Sequence, residues 1–164
     1  MTDRTDLSLL GAPPEDSHPR IRALYDYWSA KRPAPDKLPG RQHIDPVEIP
    51  QLLRWVWLVD VLRDPLRFRY RLTGSEFIGA MGGNYTGRFV GEADPDFFSQ
   101  TWGRHYSAAA DQGLVGYFRG RPIIHAERNY VWMERLLLPL ATDGGNVNML
   151  LGITLYDQIQ RSPI

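Results

Sequence analysis

The sequence has 164 residues, a length typical of one domain, and its shares of 43% hydrophobic and 23% charged residues are ordinary for a globular protein. The absence of cysteine excludes disulfides, zinc–thiolate sites and thiol catalysis, and 19 basic against 19 acidic residues argue against a nucleic-acid partner. No apolar run approaches the roughly 20 residues that cross a bilayer and the N-terminus lacks a signal-peptide core, so we predict a cytoplasmic protein without membrane contact.

The chain is predicted to begin with a flexible lead over residues 1–17 and an amphipathic helix over residues 18–32. Ser17 is placed at the N-cap of this helix, with Pro19 in the first turn. The apolar stripe of the helix has the i, i+3, i+4, i+7 spacing and consists of Ile21, Leu24, Tyr25 and Trp28. We expect this stripe either to cover one face of a sheet or to pair with a second copy or a protein partner.

Residues 33–54 are interrupted by prolines and predict an extended connector, with a short helical turn that starts at Asp45. Residues 55–62 and 66–73 then predict two strands joined by a turn, which together form a hairpin. Arginines and apolar residues alternate in the second of these strands. Its core-facing side chains are predicted to be Phe68, Tyr70 and Leu72, opposite an outer row of Arg67, Arg69 and Arg71.

A glycine-rich segment, Gly74 to Gly91, follows the hairpin. Neither a parallel strand at dinucleotide-fold spacing nor the Lys-Ser/Thr end of a P-loop follows it, so we favour glycines that let a short helix bend over the sheet. A longer helix is predicted over residues 94–113, starting at Asp94 or Asp96. Its apolar stripe contains Phe98, Trp102, His105 and Ala109.

Three further strands, over residues 114–121, 129–140 and 146–157, complete the predicted order of elements. A hairpin, a helical crossing and a three-stranded meander make an α+β domain with a five-stranded antiparallel sheet, helices on one face and the additional N-terminal helix. The core is placed at residues 55–157 and a frayed tail at 158–164. The strand at 129–140 is apolar in both alternation phases, which indicates a strand covered on both faces.

The sequence of the central segment, "YRLTGSEFIGAMGGNYTGRFVGEADPDFF", resembles the PAS sensor domain. Further motifs in the same order, from "LYDYW" and "IDPVEIPQLL" to "ERLLLPLATDGGNVNMLLG", are similar to a small bacterial family of single-domain PAS proteins. The resemblance runs from about Leu24 to Asp157. It implies the fold, a cavity between the sheet and the helices, and a regulatory role. It assigns no binding residue.

The candidates for lining this cavity are aromatic, apolar and titratable side chains, namely Tyr70, Phe77, Met81, Phe98, Trp102, His105, Tyr106, Tyr117, Trp132 and Glu134. His105 on an apolar stripe favours a hydrogen-bonded core residue over a haem or metal ligand. No motif supports haem or flavin, so no cofactor is assigned.

His125 is predicted to be exposed in a turn. Glu134 and Arg135 are adjacent in a strand, so one faces inward and must be paired or contact a polar ligand.

The first functional hypothesis is a non-catalytic sensory or regulatory module, in which a small molecule fills the cavity and the signal leaves through a protein partner or self-association. The second is a small lyase or isomerase that uses Glu134 with His105 as an acid–base pair. The third is an interaction module with a filled core, which would dimerise through the N-terminal helix.

Overall fold

The computed structural model describes residues 6–121 and 130–158. These residues form one antiparallel sheet with helices on both faces. The elements are β1 (Leu7–Leu10), α1 (Pro19–Ala30), β2 (Val56–Leu62), β3 (Arg67–Thr73), α2 (Ser75–Met81), α3 (Thr101–Gln112), β4 (Gly116–Gly120), β5 (Tyr130–Leu140) and β6 (Met149–Gln158). Short 3-10 turns lie at Arg41–His43, Pro46–Glu48 and Phe97–Ser99.

The sheet has the order β1-β4-β5-β6-β2-β3, so the meander and the hairpin meet where β6 pairs with β2. The predicted α+β class and antiparallel pairing are confirmed. The predicted strand count of five is wrong, because Leu7–Leu10 pairs with β4 as a sixth strand. This strand lies within the segment predicted as a flexible lead. It is too short to show a decisive alternation, and it is held by hydrogen bonds to a strand more than a hundred residues away in sequence.

Alternate residues of β5 point to the two faces, and both faces are covered. Leu136 and Leu138 pack in one core with α1, while Met133 and Leu137 pack in a second core that contains α3. The both-phase apolar pattern of this strand therefore has the predicted physical cause, since helices cover the sheet from each side.

α1 lies against the sheet with the buried part of its apolar stripe, Ile21, Leu24 and Trp28, each 0% exposed. The Trp28 indole Nε1 donates a hydrogen bond to the carbonyl oxygen of Pro139 at 2.9 Å. The alternative prediction, that this stripe pairs with a second copy or a partner, is thereby corrected, because the sheet of the same chain already occupies it. Tyr25 is only partly buried and packs at the edge of this core.

α1 begins one residue later than predicted. His18, not Ser17, occupies the N-cap, and its Nδ1 accepts a hydrogen bond from the backbone N–H of Arg20 at 3.0 Å. The predicted turn at Asp45 is present, with the carboxylate accepting from the backbone N–H of Val47. Ile49 and Leu52 of the connector pack in the same core as α1.

An irregularity in β3 changes the orientation of Leu72. Leu58 is paired with Leu72 but Val59 is paired with Tyr70, so Arg71 is an extra residue in the strand. The bulge reverses the alternation beyond Tyr70. Phe68 and Tyr70 are buried as predicted, whereas Leu72 is 49% exposed, so its predicted place in the core is wrong.

Candidate ligand cavity

A cavity of about 330 Å³ lies on the α3 side of the sheet. Its walls come from the middle of β3, the end of α2, the segment between residues 85 and 94, and the start of α3. The lining is mostly apolar and aromatic and includes Tyr70, Met81, Tyr85, Val90, Phe97 and Trp102. A volume of this size accommodates a small organic molecule.

The outer wall is made by the segment that follows α2. Gly82 ends that helix in the left-handed conformation, with φ 81°, so the chain turns back toward β3. The segment is then fastened along the outer edge of β3: the backbone N–H of Tyr70 donates to the Arg88 carbonyl at 2.9 Å, and the N–H of Gly87 donates to the Tyr70 carbonyl at 2.7 Å. The glycines thus serve a bend over the sheet, as predicted.

Behind the cavity wall lies a buried cation, Arg135, whose side chain is 0% exposed. Its guanidinium carbon lies 3.9 Å from the ring centroid of Trp102, 5.8 Å from that of Phe118 and 5.9 Å from that of Tyr106. Burial lowers the pKa of Arg135 to about 10, and the group remains protonated near neutral pH. Three aromatic rings therefore surround a positive charge beside the cavity.

His105 connects this cation to the N-terminal strand. Its Nδ1 lies 3.3 Å from the Arg135 Nη2, and its Nε2 lies 2.9 Å from the Ser8 Oγ. A guanidinium only donates, so Nδ1 accepts, and Nε2 carries the proton and donates to Ser8. Burial, together with the positive charge of Arg135, lowers the pKa of His105 to about 4, which keeps the imidazole neutral.

Both ring nitrogens of His105 are therefore engaged, which favours the predicted hydrogen-bonded core residue over a haem or metal ligand. Among residues 6–121 and 130–158, no group of three or more histidine, aspartate or glutamate side chains is arranged to hold a metal ion.

Apart from His105, the candidates on the α3 side of the sheet fall into three groups. Tyr70, Met81 and Trp102 line the cavity. Phe77 and Tyr106 are buried in the core beside it. Phe98 does not line it: the extended conformation of Gln100 separates its 3-10 turn from α3, and its side chain is 47% exposed.

A comparison with protein families agrees with this architecture. Residues 16–155 match the family model described as the PAS domain. The chain belongs to the PAS domain family. No curated protein matches it. A solved structure described as an RNA-binding light-oxygen-voltage receptor has a TM-score of 0.49 and 16% sequence identity over 93% of this chain and 39% of that chain. The PAS domain described here thus spans well under half of that receptor's length.

The remaining candidates of this PAS domain lie on the opposite, α1, side of the sheet. Tyr117 is buried in the α1 core, and its hydroxyl donates to the Glu134 Oε2 at 2.9 Å. The same oxygen accepts from the backbone N–H of His18 at 2.9 Å, so Glu134 fixes the start of α1. Strand alternation places Trp132 on this side too.

The inward residue on the cavity side is therefore Arg135, and the placement of Tyr117, Trp132 and Glu134 in the cavity is wrong. Glu134 and His105 lie on opposite faces of the sheet and do not form the proposed acid–base pair.

His125 lies outside the described residues. No helix in the described part of the chain is long and apolar enough to cross a membrane.

Tyr85 and Arg88 were missed by the sequence analysis although both contribute to the cavity. They stand in a segment without helical or strand periodicity, where residue spacing carries no information about orientation. The only available signal was their position in the glycine-rich stretch after α2.

The environment of His105 predicts a loss of stability in mild acid. The pKa of its imidazole is about 4 in the folded state and near 6.5 when unfolded, so between these values the unfolded chain binds a proton that the folded chain does not. The contribution of neutral His105 to the free energy of unfolding is fully present above pH 6.5. The free energy of unfolding is expected to fall by about 3 kcal/mol as the pH drops to 4.

The test is urea unfolding at several pH values with wild type and a His105→Gln variant, whose amide can preserve both hydrogen bonds without titrating. The difference between the two free energies of unfolding should grow with pH from 4 to 6.5 in favour of wild type. Parallel pH profiles would show that His105 is not responsible.

Proposed function

We propose that this PAS domain is a non-catalytic sensory or regulatory module that binds a small molecule in the cavity between β3, α2 and α3. The signal then leaves through a protein partner or a change in self-association. The observation that carries the proposal is the construction of the outer wall. A ligand in the cavity touches the 85–94 segment directly, and that segment also forms the protein surface.

The mechanism follows from how this wall is attached. The segment is held to the edge of β3 by backbone hydrogen bonds at Phe68 and Tyr70, and it begins at a glycine turn. A ligand that fits better with the wall displaced selects that arrangement and changes the surface formed by residues 74–94. α1 was the other predicted route for the signal. It is less suited to this role, because its stripe is packed on the far side of the sheet.

The other parts of the proposal rest on charge and on the placement of titratable groups. A net charge of zero supports a protein partner over a nucleic acid and suits a cytoplasmic protein. The separation of Glu134 from His105 removes the pair on which the lyase or isomerase hypothesis depended.

A ligand-free interaction module is the second candidate function, and one observation favours it. Between α3 and the sheet the space is filled by rings: Tyr106 stacks on Trp57 with centroids 5.9 Å apart and meets Phe68 edge-on at 5.0 Å. Close packing of this kind is what a domain with no ligand would need. The cavity lies beyond these rings, toward the 85–94 segment.

The deciding experiment is native mass spectrometry of protein purified from its own host, with an absorption spectrum, followed by hydrogen exchange of ligand-bearing and stripped samples. We expect a stoichiometric extra mass, and changed exchange over residues 74–94 in the bound form, because displacement of the wall alters its hydrogen bonds to β3. The β5–β6 turn at residues 141–148 is the internal control and should not change. A ligand that leaves exchange over 74–94 unaltered would refute the mechanism, and a bare mass that takes up no added small molecule would favour the second candidate.

A further inference from the structure

We propose that the ligand of this cavity is a small organic acid and that Arg135 binds its carboxylate. The inference rests on the proposed function and names the chemical class of ligand for the same site. It is carried by polar groups that are buried around Arg135 and left unsatisfied.

Arg135 is a fully buried positive charge without a counter-charge among the described residues. Its Nε and Nη1 have no hydrogen-bond acceptor there, and only Nη2 is engaged, by His105. A buried charge is costly unless it is paired and hydrogen-bonded. The stacked ring of Trp102 offsets part of that cost through a cation–π interaction, but a ring supplies no acceptor in the plane of the guanidinium.

A second buried polar group points to the same chemistry. The hydroxyl of Tyr106 has no acceptor for its proton among the described residues, and the ring that carries it lies beside Arg135. A hydroxyl and a guanidinium both donate, and a carboxylate accepts several hydrogen bonds at once. One carboxylate would satisfy donors from both side chains.

Trp102 determines how a ligand reaches this group. Its ring stacks on Arg135 and also lines the cavity, so it forms the partition between them. It is the second residue of α3, close to the helix end that follows the extended Gln100. A rotation of the indole is the movement by which a ligand would reach the guanidinium from the cavity.

The rest of the lining selects the body of the ligand. Met81, Val90 and Phe97 present apolar surface, which suits an aliphatic or aromatic group better than inorganic phosphate or a polyanion. Arg88, the arginine that lines the cavity, is exposed and already paired with Glu92, its Nε lying 2.6 Å from the carboxylate. Arg135 is therefore the cation that a ligand carboxylate would neutralise.

The test uses phenylacetate and hexanoate as probes, each compared with its neutral amide, by calorimetric titration of the full chain at pH 7. We expect both acids to bind at least about tenfold more tightly than the amides, a difference typical of a charged hydrogen-bonded contact. Arg135→Met should remove this preference, and Arg88→Met, the matched control at the same cavity, should retain it. Tyr106→Phe, which deletes only the hydroxyl, should weaken acid binding by about fivefold and leave amide binding unchanged.

Ligand-free Arg135→Met should melt within about 3 °C of wild type, because relief of charge burial compensates for the lost stacking. A large fall in its melting temperature would assign Arg135 to the stability of the empty fold and overturn the inference. So would equal binding of acids and amides, retained preference in Arg135→Met, or a neutral co-purified ligand. These results leave the sensory proposal standing, whereas failure of every probe together with a bare native mass would overturn both.

Discussion

Replacement of Trp28 by alanine is expected to lower the free energy of unfolding by about 3–5 kcal/mol. The indole is completely buried between α1 and the sheet, and its Nε1 donates to the Pro139 carbonyl, so the substitution leaves both a cavity and an unsatisfied acceptor. Urea or thermal unfolding monitored by circular dichroism measures the loss.

The control for this variant is Val47→Ala, since Val47 is 82% exposed and its truncation should change stability by less than about 0.5 kcal/mol. If Trp28→Ala were equally mild and instead changed the oligomeric state, the stripe of α1 would be a contact between molecules, and its placement against the sheet would be refuted.

Replacement of Gly152 by alanine is expected to destabilise the domain by about 3 kcal/mol, a large effect for one added methyl group. Gly152 stands opposite Trp57 in the β2–β6 pair, and a Cβ at this position would overlap the indole ring. The ring cannot easily move away, because its Nε1 donates to the Thr154 hydroxyl at 2.9 Å and its face stacks on Tyr106.

The same substitution at Gly145 is the matched control. A Cβ there would have no neighbour within 4 Å, so Gly145→Ala should be close to neutral in the same unfolding experiment. Equal stability of the two variants would mean that Trp57 or the strand can move to accommodate a methyl group at Gly152. That result would contradict the close packing of Trp57 on this residue.

Much of this fold could be predicted because its strongest patterns are local. The stripe of α1 and the alternation of β3 each have a periodicity that fixes the element, and apolar residues in both phases of β5 indicate a strand covered on both faces. β1 could not be found in this way, because only four residues pair and what holds them is a distant strand. The exposure of Leu72 depends on the bulge at Arg71, which alternation alone does not reveal.

The candidate cavity was less predictable, for a related reason. Glu134 and Arg135 lie between apolar neighbours on both sides, so the sequence sets them on opposite faces but does not say which face carries the cavity. Tyr70, Met81 and Trp102 were found because each belongs to an element with a clear inner side. Tyr85 and Arg88 belong to a wall whose shape is set by glycine turns and by hydrogen bonds to the β3 edge.

The position of β6 in the sheet has a consequence for biosynthesis. This strand lies between β5 and β2, although it is the last strand in sequence among the described residues. The β2–β3 hairpin leaves the ribosome early with one edge of β2 unpaired, and its partner, around Leu151, follows almost a hundred residues later. Pairing over such a separation is slow, and an apolar strand waiting for it is prone to aggregation. The inner edge of β2 therefore stays unpaired from the completion of β3 until β6 has been made.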